Sequence, residues 1–348
     1  MPQPVRLALT RRAGLAALAA SALLPARRAA AAEEVNVYTT REPGLLNPLL
    51  HAFSESTGIK ANALFLRQGL AERVQAEGSN SPADLLITVD IGDLLDLVRR
   101  GLIQPIRSAV VEAAVPPQLR GTDGQWTALS LRARAILVSR ERVQDADLTY
   151  ESLADPRWRG KVCIRSGQHP YNTALFAAMI AHRGEAATEQ FLTGLKANLA
   201  RRAAGGDREV ARDIMGGLCD IGVSNTYYMG IMLSGRGGAE QQAWGRAVRV
   251  ILPRFADGGT HVNVSGAVIA RHAPHRANAV KLLEYLLSPP AQRILADGNF
   301  EYPVRPDVPP HPILAELGTL KPDSLRLDAI AAQRNAASQL VDRVGFDR

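Results

Sequence analysis

From residue 35 onward the chain alternates short apolar runs with segments of helical period, and that alternation restricts it to an α/β architecture. VNVYTT reads as a strand, REPG as a turn, and LLNPLLHAFSESTG as a helix closed by Gly58. IKANALFL and ADLLITVD are further strands, with GLAERVQAEG and IGDLLDLVRRGL as helices. GQWTALSLRARAILVSRERV is a long excursion of β character, after which KVCIRSG starts a second strand and helix series. That series holds two helices, YNTALFAAMIAHRG and EAATEQFLTGLKANL, then the helix DREVARDIM leading into the strand CDIGVS. RAVRVILPRF and GTHVNVSGAVIA read as strands, 274–298 as helix and 318–346 as a helical tail. The β segments near 130–140 and 250–270 carry the chain between the two series more than once, as hinges around a cleft do. The expected organisation is a first lobe of residues 33–132 plus about 256–305, a second of about 133–255, and a C-terminal helical segment, 306–348, packed on them.

The first 32 residues break this pattern. Thr10-Arg11-Arg12-Ala13-Gly14-Leu15 precedes a short Ala/Leu run and a small-residue end at Ala32, which reads as an export signal of the twin-arginine type. The apolar run is too short for a membrane span and Arg27-Arg28 interrupts it, so no membrane anchor is expected. Residues 1–32 carry five arginines and no acid, so their removal lowers the formal charge of +7 by five, to +2. With that charge and no basic run, nucleic acid is excluded as a partner class. The two cysteines, Cys163 and Cys219, both lie in apolar strand-like runs far from the signal. Their spacing is compatible with two buried thiols or with one bridge in an oxidising compartment.

In parallel α/β sheets, ligands meet the loops at the carboxyl ends of strands, where helix N-termini also point. Three loops carry suitable groups: Thr39-Thr40-Arg41-Glu42, Gln168-His169-Pro170-Tyr171, and Asn225-Thr226-Tyr227-Tyr228. Adjacent side chains on a regular strand or helix diverge, so Tyr227 and Tyr228 converge only at a break, and Asn225 is a suitable N-cap there. A phenol titrates near pH 10, and a helix dipole shifts that by less than a unit. A multivalent cation, however, deprotonates its ligands, and hard phenolate oxygen suits a hard trivalent ion. The bland alternative is an amphipathic plug with packed rings and hydrogen-bonded hydroxyls. Arg41 is either half of a surface ion pair with Glu42 or a bidentate clamp on a small oxyanion, with Ser166, Gly167 and Asn225 as further donors. Asp90 reads as an N-cap and His169 as a loop residue facing solvent. The chain has no GxSxG, HExxH or CxxC and no defensible nucleophile and base set, so no enzyme is expected.

The stretches VNVYTTRE, AFSESTGIK, SPADLLITVD, LRARAILVSRERV, WRGKVCIRSGQHPYN, SNTYYMG, GTHVNVSGA and EYPVRPDV resemble the periplasmic ferric-iron-binding proteins that feed ABC importers. The tandem tyrosine after Asn-Thr is the most specific of them. The resemblance implies a two-lobed Venus-flytrap fold of type II character, Tyr171, Tyr227 and Tyr228 as phenolate ligands of Fe³⁺, and a synergistic anion such as carbonate at Arg41. It also implies a monomer in the periplasm that delivers iron to a permease and ATPase pair. Many relatives read Arg-His-Tyr in the first-lobe loop, whereas this chain reads Arg41-Glu42-Pro43, and Pro43 has no side-chain donor. Glu42, water and the anion would then fill the remaining positions, or iron would arrive partly chelated. The rival readings are a receptor for an inorganic or organic anion and an exported enzyme on the same fold.

Overall fold

The structure is a computed structural model that describes residues 33–348; the export signal read at 1–32 lies outside the described residues. Ten strands run β1 Glu34–Thr39, β2 Lys60–Phe65, β3 Leu85–Thr88, β4 Ile103–Gln104, β5 Thr127–Ser139, β6 Val162–Cys163, β7 Ile221–Asn225, β8 Val248–Ile251, β9 Val262–Ala270 and β10 Tyr302–Pro303. The helices before the second sheet are α1 Pro43–Thr57, α2 Leu70–Glu77, α3 Ile91–Arg99 and α4 Ala109–Ala114. They are followed by α5 Pro170–Ala197, α6 Asp207–Met215, α7 Thr226–Leu233, α8 Ala239–Ala247, α9 Arg276–Leu286 and α10 Pro289–Asn299. Helices α11 Pro312–Glu316, α12 Leu327–Ala332 and α13 Arg334–Arg343 complete the described chain.

One strand belongs to two sheets. Residues Thr127–Ala133 of β5 pair antiparallel with β9, which continues through β3 to the parallel strands β1 and β2. From Arg134 to Ser139 the same strand pairs antiparallel with β7 and β8, and β6 lies parallel to β7. All 13 residues of β5 are buried, including Arg132 and Arg134, which explains its reading as one long apolar run. Where β5 passes between sheets it is tied to the second connection, the residues leading into β9. The Arg134 amide donates to His261 O at 3.0 Å. The buried Tyr150 hydroxyl donates to Arg134 O at 2.6 Å and accepts from the His261 amide at 3.0 Å.

Local sequence explains most of the elements. Helix α1 starts at Pro43 and stops at Gly58, whose φ of 72° suits a residue without Cβ. Asp90 caps α3 by accepting from Gly92 N at 2.8 Å, as its position suggested. The two helices read in 170–197 form one run broken at Gly184, with φ 79° and ψ 167°. KVCIRSG is a shorter strand than expected. The Asn172 side chain takes the carbonyls of Arg165 and Ser166, both at 3.0 Å, so the chain leaves the sheet after Cys163. Beside it Gly222 is required, because a Cβ there would stand 2.4 Å from both Cys163 O and Val210 Cγ1. Helices α4, α8 and α11 had no clear signal in the sequence. Cys163 and Cys219 are bonded, which resolves the two alternatives their spacing allowed.

The tail packs across both sheets' helices. Helix α12 contacts α3 and α5, and α13 lies along α5. Arg334 reaches Asp90 at 2.6 Å, and Phe346 meets Phe176 edge-on at 5.9 Å.

Candidate metal-binding site

Strand β7 ends at Asn225, whose extended backbone (φ −75°, ψ 142°) turns the chain into α7 at Thr226. The Thr226 hydroxyl accepts from the Ala133 amide at 3.2 Å and so fastens the start of α7 to β5. Tyr227 and Tyr228 therefore leave the helix in its first turn, and their rings lie 4.2 Å apart, tilted by 39°. Tyr171 arrives from the other loop. Pro170 opens α5, and His169 caps it, its Nδ1 accepting from the Tyr171 amide at 3.2 Å. The His169 ring also stands edge-on to Tyr171 at 4.4 Å. The Tyr171 and Tyr227 hydroxyl oxygens are 3.0 Å apart. Two strand-to-helix junctions thus bring three phenols together.

A second group was missed by sequence reasoning. Arg134 and Arg165 both bind the buried carboxylate of Asp207, Arg165 at 3.2 Å. Asp207 also accepts from the Asn225 amide at 2.7 Å. The guanidinium of Arg165 lies 5.0 Å from the Tyr171 ring centre and that of Arg134 5.9 Å from it. The Nε atoms of both are buried without a hydrogen-bond partner. Arg132, Arg134, Tyr171, Asn225, His261 and Asn263 line one small cavity here. The available signal was the spacing of Arg132 and Arg134, two residues apart in an apolar strand, which puts both charges on one buried face.

Burial, and then the nearby Tyr171 phenol, raise the Tyr227 hydroxyl well above its usual range. The same causes raise Tyr228. His169 is pushed down to about 4 by burial and by Arg165, so it is neutral and its Nδ1 is free to cap α5. It is half-buried rather than solvent-facing, which corrects the loop reading. At neutral pH the phenols of Tyr227 and Tyr228 hold their protons, and only a strongly positive ligand would displace them. Among the described residues no three His, Cys, Asp or Glu side chains cluster to hold a metal.

The expected anion donors are placed differently. Ser166 Oγ and the Gly167 amide do bind a carboxylate, but it is that of Asp347, at 2.6 and 2.7 Å. They face the tail because Gly167 packs under Phe346 and Val341, where a Cβ would come within 3 Å of both. Asn225 occupies the N-cap position, yet its side chain makes no cap bond and accepts from Arg134 at 3.2 Å instead. Arg41 is buried and forms no pair with Glu42. Its Nη2 meets Glu301 at 2.9 Å and its Nη1 donates to Ser265 at 3.0 Å, leaving Nε without a partner. Burial opposes ionisation of Glu301, but Arg41 and Arg132 hold its carboxyl below the usual range. Glu42 is exposed at the start of α1 and caps nothing.

Two α/β sheets sharing a crossing strand, with polar groups gathered at strand-to-helix junctions, define a two-lobed solute-binding protein of the periplasmic type. The model of the bacterial extracellular solute-binding protein family matches residues 80–320. The chain belongs to that family. It is 42% identical over 326 residues to "Iron uptake protein A2" of Synechocystis, covering 93% of each chain. The solved "Bordetella ferric binding protein" shares 57% identity and superposes with a TM-score of 0.88 over 91% of this chain and all of that one. A Trichodesmium protein solved "in complex with iron and citrate ligands" shares 37% identity, with a TM-score of 0.86 over 90% of this chain and 99% of that one.

Proposed function

We propose that this protein captures Fe³⁺ in the periplasm through the phenolates of Tyr171, Tyr227 and Tyr228 and delivers it to a membrane permease and its ATPase. Iron is the cargo, and no covalent chemistry is performed. The observation that carries the reading is the meeting of the Tyr171 and Tyr227 hydroxyls at 3.0 Å with the Tyr228 ring stacked beside them. The relatives named for iron uptake and ferric binding support iron as the solute. The bridge between Cys163 and Cys219 suits an oxidising compartment outside the cytoplasm.

A small oxyanion, carbonate or a carboxylate, completes the coordination in this reading. The arginine group of Arg134 and Arg165 favours it, since both guanidinium groups bury an unpartnered N–H beside Tyr171. Arg41 is the corresponding group on the first sheet, and Glu42 is the candidate ligand there. Adding ferric citrate to metal-free protein should produce a visible phenolate-to-iron charge-transfer band. Its absence, or its survival undiminished in the Tyr227→Phe, Tyr228→Phe double variant, would refute the assignment. The same arginines support a second reading, an anion receptor in which the phenols stack on the solute. Calorimetric binding of citrate or carbonate with iron rigorously removed would favour that one.

A further inference from the structure

The carboxylate of Asp347 is received by a ready-made cradle at the loop that launches Tyr171. Ser166 Oγ donates to it at 2.6 Å, the Gly167 amide at 2.7 Å and the Gln168 amide at 3.2 Å. On its other side the Asp347 carbonyl accepts from Arg202 Nε at 2.6 Å. Phe346 and Val341 close over Gly167, and Gln168 is held a second time, by Ser338 and Asp342. The sequence separation between Asp347 and these donors is about 180 residues, so the contact exists only because the tail folds back along α5.

What the cradle does follows from what lies next to it. Residues 166–168 are one step from His169, whose ring caps α5 and touches Tyr171, and Tyr171 stands in the first turn of that helix. The loop's carbonyls are pinned from below by Asn172, which in turn accepts from Arg134 at 2.7 Å. Two of the loop's backbone N–H groups point at Asp347 and have no strand partner. Without a carboxylate the Gly167 amide would turn to water and the Gln168 amide would keep only Ser166 Oγ, at 3.2 Å, so the loop would lose much of its fixed shape. We propose that Asp347 is a positioning residue for iron capture, holding the 166–168 loop so that the Tyr171 hydroxyl meets those of the α7 tyrosines. This rests on the reading of Tyr171 as an iron ligand. Asp347 touches no reacting atom and acts through Tyr171.

The test uses the full exported protein and ferric citrate as the probe. Asp347→Asn removes the charge and replaces one acceptor by a donor facing the Ser166 and amide N–H groups. It should weaken iron binding about ten-fold, the scale typical of groups that orient metal ligands. The charge-transfer band should weaken with it, and Asp347→Glu should recover part of both. In a Tyr171→Phe background the same Asp347→Asn change should cost nothing further, a coupling that a merely structural role would not produce. If Asp347→Asn does not fold, Ser166→Ala loosens the same cradle and should show a smaller loss with the same disappearance in the Tyr171→Phe background. Unchanged affinity and band in the variant, or an equal loss with and without Tyr171, would overturn the proposal alone. A wild-type protein that gives no band at all would remove the phenolate reading and this proposal with it.

Discussion

Each sheet buries an arginine near its strand ends, and the two are neutralised differently. On the first sheet Arg41 pairs with Glu301, with Ser265 on the arginine and Ser130 on the carboxylate, and only its Nε is left without a partner. On the second, Arg134 and Arg165 share the single carboxylate of Asp207. One positive charge is therefore left unbalanced, and it stands against the ring of Tyr171. In a poorly screened interior such an excess favours any anion placed beside it, a phenolate included. The first arrangement brings one carboxylate to one arginine, the second one carboxylate to two.

That contrast can be broken experimentally. The largest effect is expected from Asp207→Ala, which takes the shared carboxylate from the buried Arg134 and the mostly buried Arg165, leaving Arg134 only Asn172 and Asn225, and should lower the unfolding free energy in urea by roughly 3 kcal/mol. Glu301→Ala strands one arginine, with Ser265 retained, and should cost less. The reverse order would contradict the comparison.

Next in size is a pH effect. Burial holds His261 at about 4 against an ordinary 6.5, with Asp323 opposing and Arg134 assisting. The unfolded chain then binds the proton first. The stabilisation is complete above about pH 6.5 and disappears as the pH falls to about 4, a loss of at most roughly 3 kcal/mol. His261→Gln should flatten that part of the profile.

Iron affinity should move in the same direction for a different reason. Three phenols must release their protons to bind, those of Tyr227 and Tyr228 from raised pKa values, so below those values affinity should climb by about a thousand-fold per pH unit. A pH-independent affinity would break the phenolate assignment. Smallest, Arg165→Gln removes the unbalanced charge and should weaken ferric binding about ten-fold, more than Arg41→Gln does; equality of the two would dissolve the distinction between the sheets.

The parts legible in the sequence were those set by neighbours in the chain. Strand and helix alternation, the stop at Gly58, the cap at Asp90 and the break after Asn225 all follow from local geometry, and the break is what made two adjacent phenols informative. Tyr171 could be added because it follows a strand-like run and a proline. What stayed hidden depends on distant partners. Ser166 and Gly167 were read as donors to a small bound oxyanion, and nothing in their vicinity names Asp347, the carboxylate they hold. Arg134 sits inside the long β run with no mark of its role, which depends on Asp207 and Asn172 folded against it. Arg41 has Glu42 beside it in the chain, yet its partner is Glu301. The cysteine pair needed the β6 and β7 register before its two alternatives separated.

The hydroxyl of Tyr150, bonded at once to the Arg134 carbonyl and the His261 amide, has a mechanical meaning. It adds a side-chain clamp to the two backbone segments already joined by the Arg134 amide and His261 carbonyl, so they behave as one axle. Any relative turning of the two halves must then pass as torsion through residues flanking 134 and 261, and Arg134, itself part of that axle, would transmit the twist to the Tyr171 ring beside its guanidinium.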